Sequence, residues 1–225
     1  MEPRRLHVPS LHLQADKDSR LAGLGLSEKL LEEGMRYAKA EMERCSGNDV
    51  NAAEGNAAYS KLIRFLREKL IPDGWSRGSQ PGLESVINPD RTFQIVTSSA
   101  NWATGYDDQM PATKYPKGKR TAETMQDHGQ LALDVVHLTQ EAKRELKTLF
   151  WIYYLDRKKE EIRHELSIPT HMTISPKSKK GRIDEFGSRI ILNAIPLESA
   201  DELDEEHEDD FTDDLDIPVP RRASS

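Results

Sequence analysis

The stretch Leu149-Phe150-Trp151-Ile152-Tyr153-Tyr154-Leu155 decides the fold class. It is apolar on both alternating faces, so it reads as a strand in the middle of a sheet covered on both sides. Asp156-Arg157-Lys158-Lys159 turns the chain, and residues 161–168 then alternate. Ile162, His164, Leu166 and Ile168 are expected inward, with Glu161, Arg163, Glu165 and Ser167 outward. Pro169 is expected to end that strand. Downstream, residues 170–181 read as a basic loop, Ile183 and Phe186 as the start of a short helix, and residues 189–195 as a last strand.

Upstream, residues 83–87 and 92–98 flank Asn88-Pro89-Asp90-Arg91 and read as a β-hairpin. Two helices precede it. Ser27 can cap the first, to about residue 44, where Leu31, Met35, Ala38 and Met42 recur at helical spacing and Gly34 interrupts. The second spans about residues 56–70, stopped by Pro72-Asp73-Gly74. Residues 121–135 and 139–147 read as further short helices. The expected fold is α+β: an N-terminal helix pair packed with a mainly antiparallel sheet of about five strands. Residues 26–196 form that single domain, with a loose arm at 1–25 and an acidic, disordered tail at 197–225.

Composition narrows the function classes. Charged residues make up 32% of the 225 and the mean hydropathy is -0.72. No apolar run approaches the ~18 residues of a membrane helix, and the N-terminus lacks a signal-like apolar stretch. Cys45 is the only cysteine, which excludes an internal disulfide and a Cys-rich zinc site and suggests a cytoplasmic setting. The net charge of -7 is split. Residues 198–216 hold twelve acids and no Lys or Arg, whereas residues 1–197 hold 30 Lys and Arg against 27 acids, a net of +3.

Most catalytic patterns fail on inspection. Gly118-Lys119 is followed by Arg120 rather than Ser or Thr, and Thr113 stands where a phosphate loop needs its first glycine. Gly23-Leu24-Gly25 follows no strand. Asp90 and Glu141-Ala142-Lys143 supply the letters of a metal-dependent nuclease, but the second triplet lies in a helical or loop segment. His164 reads as a core histidine. Ser98 and Ser99 end a strand where a nucleophile could sit, yet no glycine elbow surrounds them and spacing offers no base. No catalytic residue, cofactor or metal site is expected on these grounds.

The polar loop at residues 99–120 carries more information, because some 20 residues without an element are long for a compact domain. Trp102, Tyr106 and Tyr115 interleave there with Lys114, Lys117, Lys119 and Arg120, a mixture suited to stacking on bases and pairing with phosphates. Lys179, Lys180 and Arg182 could extend that surface. In the tail, Phe211, Leu215, Ile217 and Val219 suit docking to a protein partner, as in a peptide added to a sheet edge.

Leu66-Arg67-Glu68 with Gly74-Trp75, Thr104-Gly105 ahead of Lys117-Gly118, Glu165-Leu166-Ser167-Ile168-Pro169 and Arg189-Ile190-Ile191-Leu192 resemble a family of bacterial proteins recorded as hypothetical. The resemblance covers residues 27–195. It implies a bacterial cytoplasmic setting and a shared fold, and no activity. The expectation is therefore a non-enzymatic accessory protein of a bacterial assembly, docking a protein partner through its tail and contacting nucleic acid through the 100–120 loop. A hydrolase or nuclease using that loop is the competing expectation.

Overall fold

The computed structural model describes residues 10–80, 83–118, 146–175 and 180–197. Three helices come first: α1 (Ser10–Gly23), α2 (Glu28–Glu43) and α3 (Ala53–Leu70). Seven strands follow: β1 (Ser76–Gln80), β2 (Leu83–Ile87), β3 (Phe93–Ser99), β4 (Lys147–Asp156), β5 (Glu161–Ile174), β6 (Gly181–Ile191) and β7 (Ile195–Pro196). They form one sheet in the order β1-β2-β3-β4-β5-β6, with β7 on β5. Only β3 and β4 run parallel. A parallel pair needs a crossover, and residues 100–146 supply it. The α+β class holds, with more strands than expected.

The 149–155 stretch does lie mid-sheet with both faces covered. Leu149, Trp151 and Tyr153 face the helices and join Leu31, Met35 and Ala38 of α2 and Leu62 and Leu66 of α3 in the main core. Phe150 and Ile152 face the other way, into a second core with Val96, Ala100, Ile183 and Phe186. The long loop builds the cover of that second core. Thr113 bridges Ala100, Lys117 bridges Gly181, and the Thr113 amide donates to the Ile183 carbonyl at 2.9 Å. The 113–117 segment thus ties the end of β3 to β6.

Ser27 caps α2, its hydroxyl accepting from the Leu30 amide at 3.1 Å. Gly34 sits where α2 crosses α3 and β4. A Cβ there would lie 2.7 Å from Phe65 Cδ1 and 2.8 Å from Trp151 Cη2, closer than atoms pack. Gly34→Ala is expected to cost about 1–3 kcal/mol by overpacking, despite the roughly 1 kcal/mol that alanine gains in helix propensity. Urea unfolding at pH 7 checks this. A variant as stable as the parent would mean that the helix moves aside freely.

Several elements differ from expectation. The segment expected as a loose arm contains α1, and Leu21 and Leu24 are buried in the main core. β1 was not anticipated, since Ser76-Arg77-Gly78-Ser79-Gln80 has no apolar alternation. β5 does not stop at Pro169 but runs to Ile174, its pairing with β6 shifting register on both sides of the proline. Proline is accommodated at such irregularities, where a ladder hydrogen bond is already missing. The basic loop at 170–181 is accordingly strand at both ends, and the short helix expected at Ile183 and Phe186 is part of β6. The helices expected over residues 121–135 and 139–147 lie outside the described residues, apart from Leu146 and Lys147, the latter beginning β4. The tail from residue 198 lies outside them too. No helix of the described residues is long and apolar enough to cross a membrane.

Candidate functional site

The outward residues of β5 are not solvated. Arg163, Glu165 and Ser167 are all buried, because the chain after β3 folds back over them. Arg163 donates from Nε to the Thr104 carbonyl at 2.9 Å and from Nη2 to the Trp102 carbonyl at 2.8 Å. Its Nη1 reaches Asp156 and Glu161. Glu165 accepts from the Gly105 amide at 2.9 Å and forms a two-pronged pair with Arg189 at 2.8 and 2.6 Å. Arg189 in turn donates to the carbonyls of Gln109 and Tyr106. Gly105 has φ +79°, and a side chain there would strike Arg163 Cβ. The buried Arg163 and the half-buried Arg189 therefore peg the backbone of residues 102–109 to the sheet, and the same chain then leads to Lys117.

Beyond Ile95, β3 parts from β2, whose ladder with it covers only Val86 with Ile95 and Ile87 with Gln94. A cavity of about 270 Å³ opens along that edge. α3 contributes Gly55 and Tyr59, β3 Thr97 and Ser98, β4 Tyr153, and the 113–117 segment Tyr115 and Lys117. Lys117 Nζ donates to Ser98 Oγ at 2.6 Å, and the Ser98 hydroxyl donates to the Ser99 carbonyl at 3.0 Å. Among the described residues Lys117 pairs with no carboxylate. Its withdrawal from water lowers its pKa to about 8, since burial penalises the charged form. Burial likewise raises the phenols of Tyr59 and Tyr153, so both stay protonated. Thr97 is 3% exposed, and its Oγ1 has no partner among the described residues. Buried polar groups are rarely left so. In the first turn of α3 the Ala53 amide is already paired with the Val50 carbonyl at 2.8 Å, and Gly55 there has open space where a Cβ would be.

The residues anticipated from sequence are scattered by this geometry. Trp102 is 56% exposed. Tyr106 is occupied: its ring lies 4.3 Å from the Arg163 guanidinium and 5.0 Å from Lys159 Nζ, and its hydroxyl accepts from both. It therefore joins the clamp that Arg163 forms on residues 102–106. Lys114 is exposed over the Tyr115 ring, and Arg182 donates to the Lys114 carbonyl at 3.4 Å. Lys180 is exposed. Tyr115 stands half-exposed at the cavity mouth. Of the anticipated cations among the described residues, only Lys117 turns inward. Lys119, Arg120, Lys179, Phe211, Leu215, Ile217 and Val219 lie outside the described residues. Ser98 was noted as a possible nucleophile, but its partner sits 19 residues away, and no local pattern announces that meeting. Thr97, Tyr59 and Tyr153 carried no signal beyond strand and helix periodicity.

His164 is a satisfied core histidine. The Trp151 indole donates to Nδ1 at 3.1 Å, so Nδ1 is an acceptor and the proton sits on Nε2, which faces the Asn193 carbonyl at 3.0 Å. Among the described residues no three of His, Cys, Asp or Glu are grouped to hold a metal ion.

The fold and cavity together define a mixed-sheet α+β protein with an inward lysine beside a serine hydroxyl. Comparison of this chain with models of protein families, with curated proteins and with solved structures gives no match in any of the three.

Proposed function

We propose that this protein binds a small ligand bearing a carboxylate or phosphate in the cavity between α3 and β3. One observation carries the reading: Lys117 is an ammonium largely withdrawn from water whose one partner among the described residues is a neutral hydroxyl. Buried charge is costly unless paired, and an anion in the cavity would relieve that cost. The unpartnered Thr97 hydroxyl lines the same cavity and is a further polar group there. Tyr59, Tyr115 and Tyr153 give the cavity aromatic walls for the ligand's remaining atoms. The reading keeps a binding role and moves the contact from the exposed loop surface to a half-open pocket. The docking of a protein partner and contact with nucleic acid remain proposals that this reading does not need.

The test is thermal unfolding of the full chain with inorganic phosphate and with acetate, against chloride at matched ionic strength. A ligand that binds only the folded state raises the midpoint. Phosphate or acetate is expected to raise it for the parent protein and not for Lys117→Met. Binding should also weaken as pH rises through about 8, where Lys117 loses its charge. Lys117→Met without ligand should be no less stable than the parent, because it removes a charge that lacks a partner rather than a salt bridge. Equal midpoint shifts in parent and variant would overturn the reading.

A further inference from the structure

We infer that Ser98 is an acyl-accepting nucleophile with Lys117 as its base, so that the pocket performs acyl transfer to water on a small ester or thioester. The inference rests on the same cavity as the binding reading and deepens it. A serine hydroxyl is a weak nucleophile unless a base within hydrogen-bond reach takes its proton, and serine–lysine pairs are one known form of that arrangement. Here Nζ and Oγ are 2.6 Å apart at the wall of a cavity. The groups facing Lys117 there are Ser98 from β3, Tyr153 from β4, Tyr59 from α3 and Tyr115 from its own segment. None of them is a carboxylate that would hold the ammonium charged. In keeping with that geometry, burial alone brings the lysine's titration near neutral pH, the range a general base needs.

The steps balance with water as the one co-reactant. Ser98 Oγ attacks the acyl carbon while its proton passes to neutral Lys117 Nζ. The carbon–leaving group bond breaks, and the leaving alcohol or thiol takes that proton from Nζ. Water then attacks the acyl-serine, giving its proton to Nζ. The carbon–Oγ bond breaks, and Oγ recovers the proton. Tyr59 and Tyr153, held protonated by burial, line the same cavity. The product is a carboxylate, the class of anion that protonated Lys117 would hold. One side chain thus has two roles on opposite sides of its titration.

The experiment is incubation of the full chain with p-nitrophenyl acetate, reading nitrophenolate release and the acetylated residue by peptide mass mapping. Acetyl is expected on Ser98 in the parent and absent from Ser98→Ala and Lys117→Met. Both variants are to be checked for folded circular dichroism. The initial rate is expected to rise about tenfold from pH 7 to pH 9, following a base that titrates near 8, whereas phosphate binding falls over the same range. Acetyl on Lys117 alone, or no acetyl in a parent that still binds phosphate, overturns the nucleophile and leaves the binding reading standing. Acetylation of Ser98 without any phosphate or acetate binding would do the reverse.

Discussion

Arg189→Met is expected to destabilise the protein by about 3–5 kcal/mol, a large share of the roughly 5–15 kcal/mol typical of a folded domain. The reason lies in what is left behind. Glu165 is fully buried, and all of its contacts are hydrogen bonds or the ion pair: Ser167 Oγ at 2.7 Å and Arg189 Nε at 2.8 Å on one oxygen, Gly105 N at 2.9 Å and Arg189 Nη2 at 2.6 Å on the other. Without the guanidinium, a carboxylate remains with two neutral donors in a space water does not reach. The carbonyls of Gln109 and Tyr106 lose a donor in the same step. Arg189→Lys keeps the charge but not the planar fork, so it should fall between the two. The double variant Glu165→Leu with Arg189→Met should recover part of the loss, because it strands no charge. Urea midpoints for the three variants decide the matter. A double variant worse than Arg189→Met would show that the pair's worth is attraction rather than avoided isolation. Since these groups peg the chain that leads to Lys117, Arg189→Met should also blunt the phosphate-induced rise in midpoint.

That prediction marks where the sequence stopped being readable. Strand periodicity correctly places Ile162, His164 and Leu166 toward the helices, since one face of β5 packs on them. The same rule sends Arg163 and Glu165 to solvent, because alternation reports which residues share a face and says nothing of what covers it. Here the cover is the 100–113 chain, which brings backbone carbonyls and one glycine amide that Arg163, Arg189 and Glu165 satisfy. The central strand was legible because residues apolar on both faces have no other home. β1 was not, since an edge strand of Ser, Arg, Gly and Gln earns its place through pairing with β2. The α1 segment lacked a clear apolar stripe, and two leucines near its end were enough to seat it.

The site was legible by half. The 100–120 loop was identified as the informative stretch from its length and its mixture of rings and cations, and Ser98 from its place at a strand end. What joins them is the bridge from Lys117 to Gly181, a pairing of backbone groups that depends on where β6 lies. No spacing within the loop encodes it. The exposed aromatic surface imagined from composition is divided in the fold: Tyr106 is consumed by Arg163 and Lys159, whereas Tyr115 borders the cavity.

Acid should weaken the fold through one residue. Between pH 6.5 and pH 4 the protein is expected to lose about 3 kcal/mol at His164, on a scale of 1.36 kcal/mol per pKa unit. Burial lowers this imidazole from 6.5 to about 4, with the Asn193 carbonyl, Glu28 and Glu32 opposing and Lys17 adding to the shift. In that window the unfolded chain binds a proton there and the folded chain does not, so stability rises with pH. The contribution is complete above pH 6.5, is lost as pH falls, and levels off below about 4, where the native ring also protonates. The hydrogen bonds give the same direction. A charged ring would turn Nδ1 into a donor against the Trp151 indole N–H, which already donates to it at 3.1 Å. Carboxylates titrate in the lower part of this range, so wild type must be compared with His164→Gln, whose amide can accept from Trp151 and donate to Asn193 but carries no proton to gain. Urea unfolding at half-unit steps from pH 7 to pH 4 should show the two stabilities converging, or crossing, as pH falls. Parallel curves would mean that the buried ring is not what fails in acid.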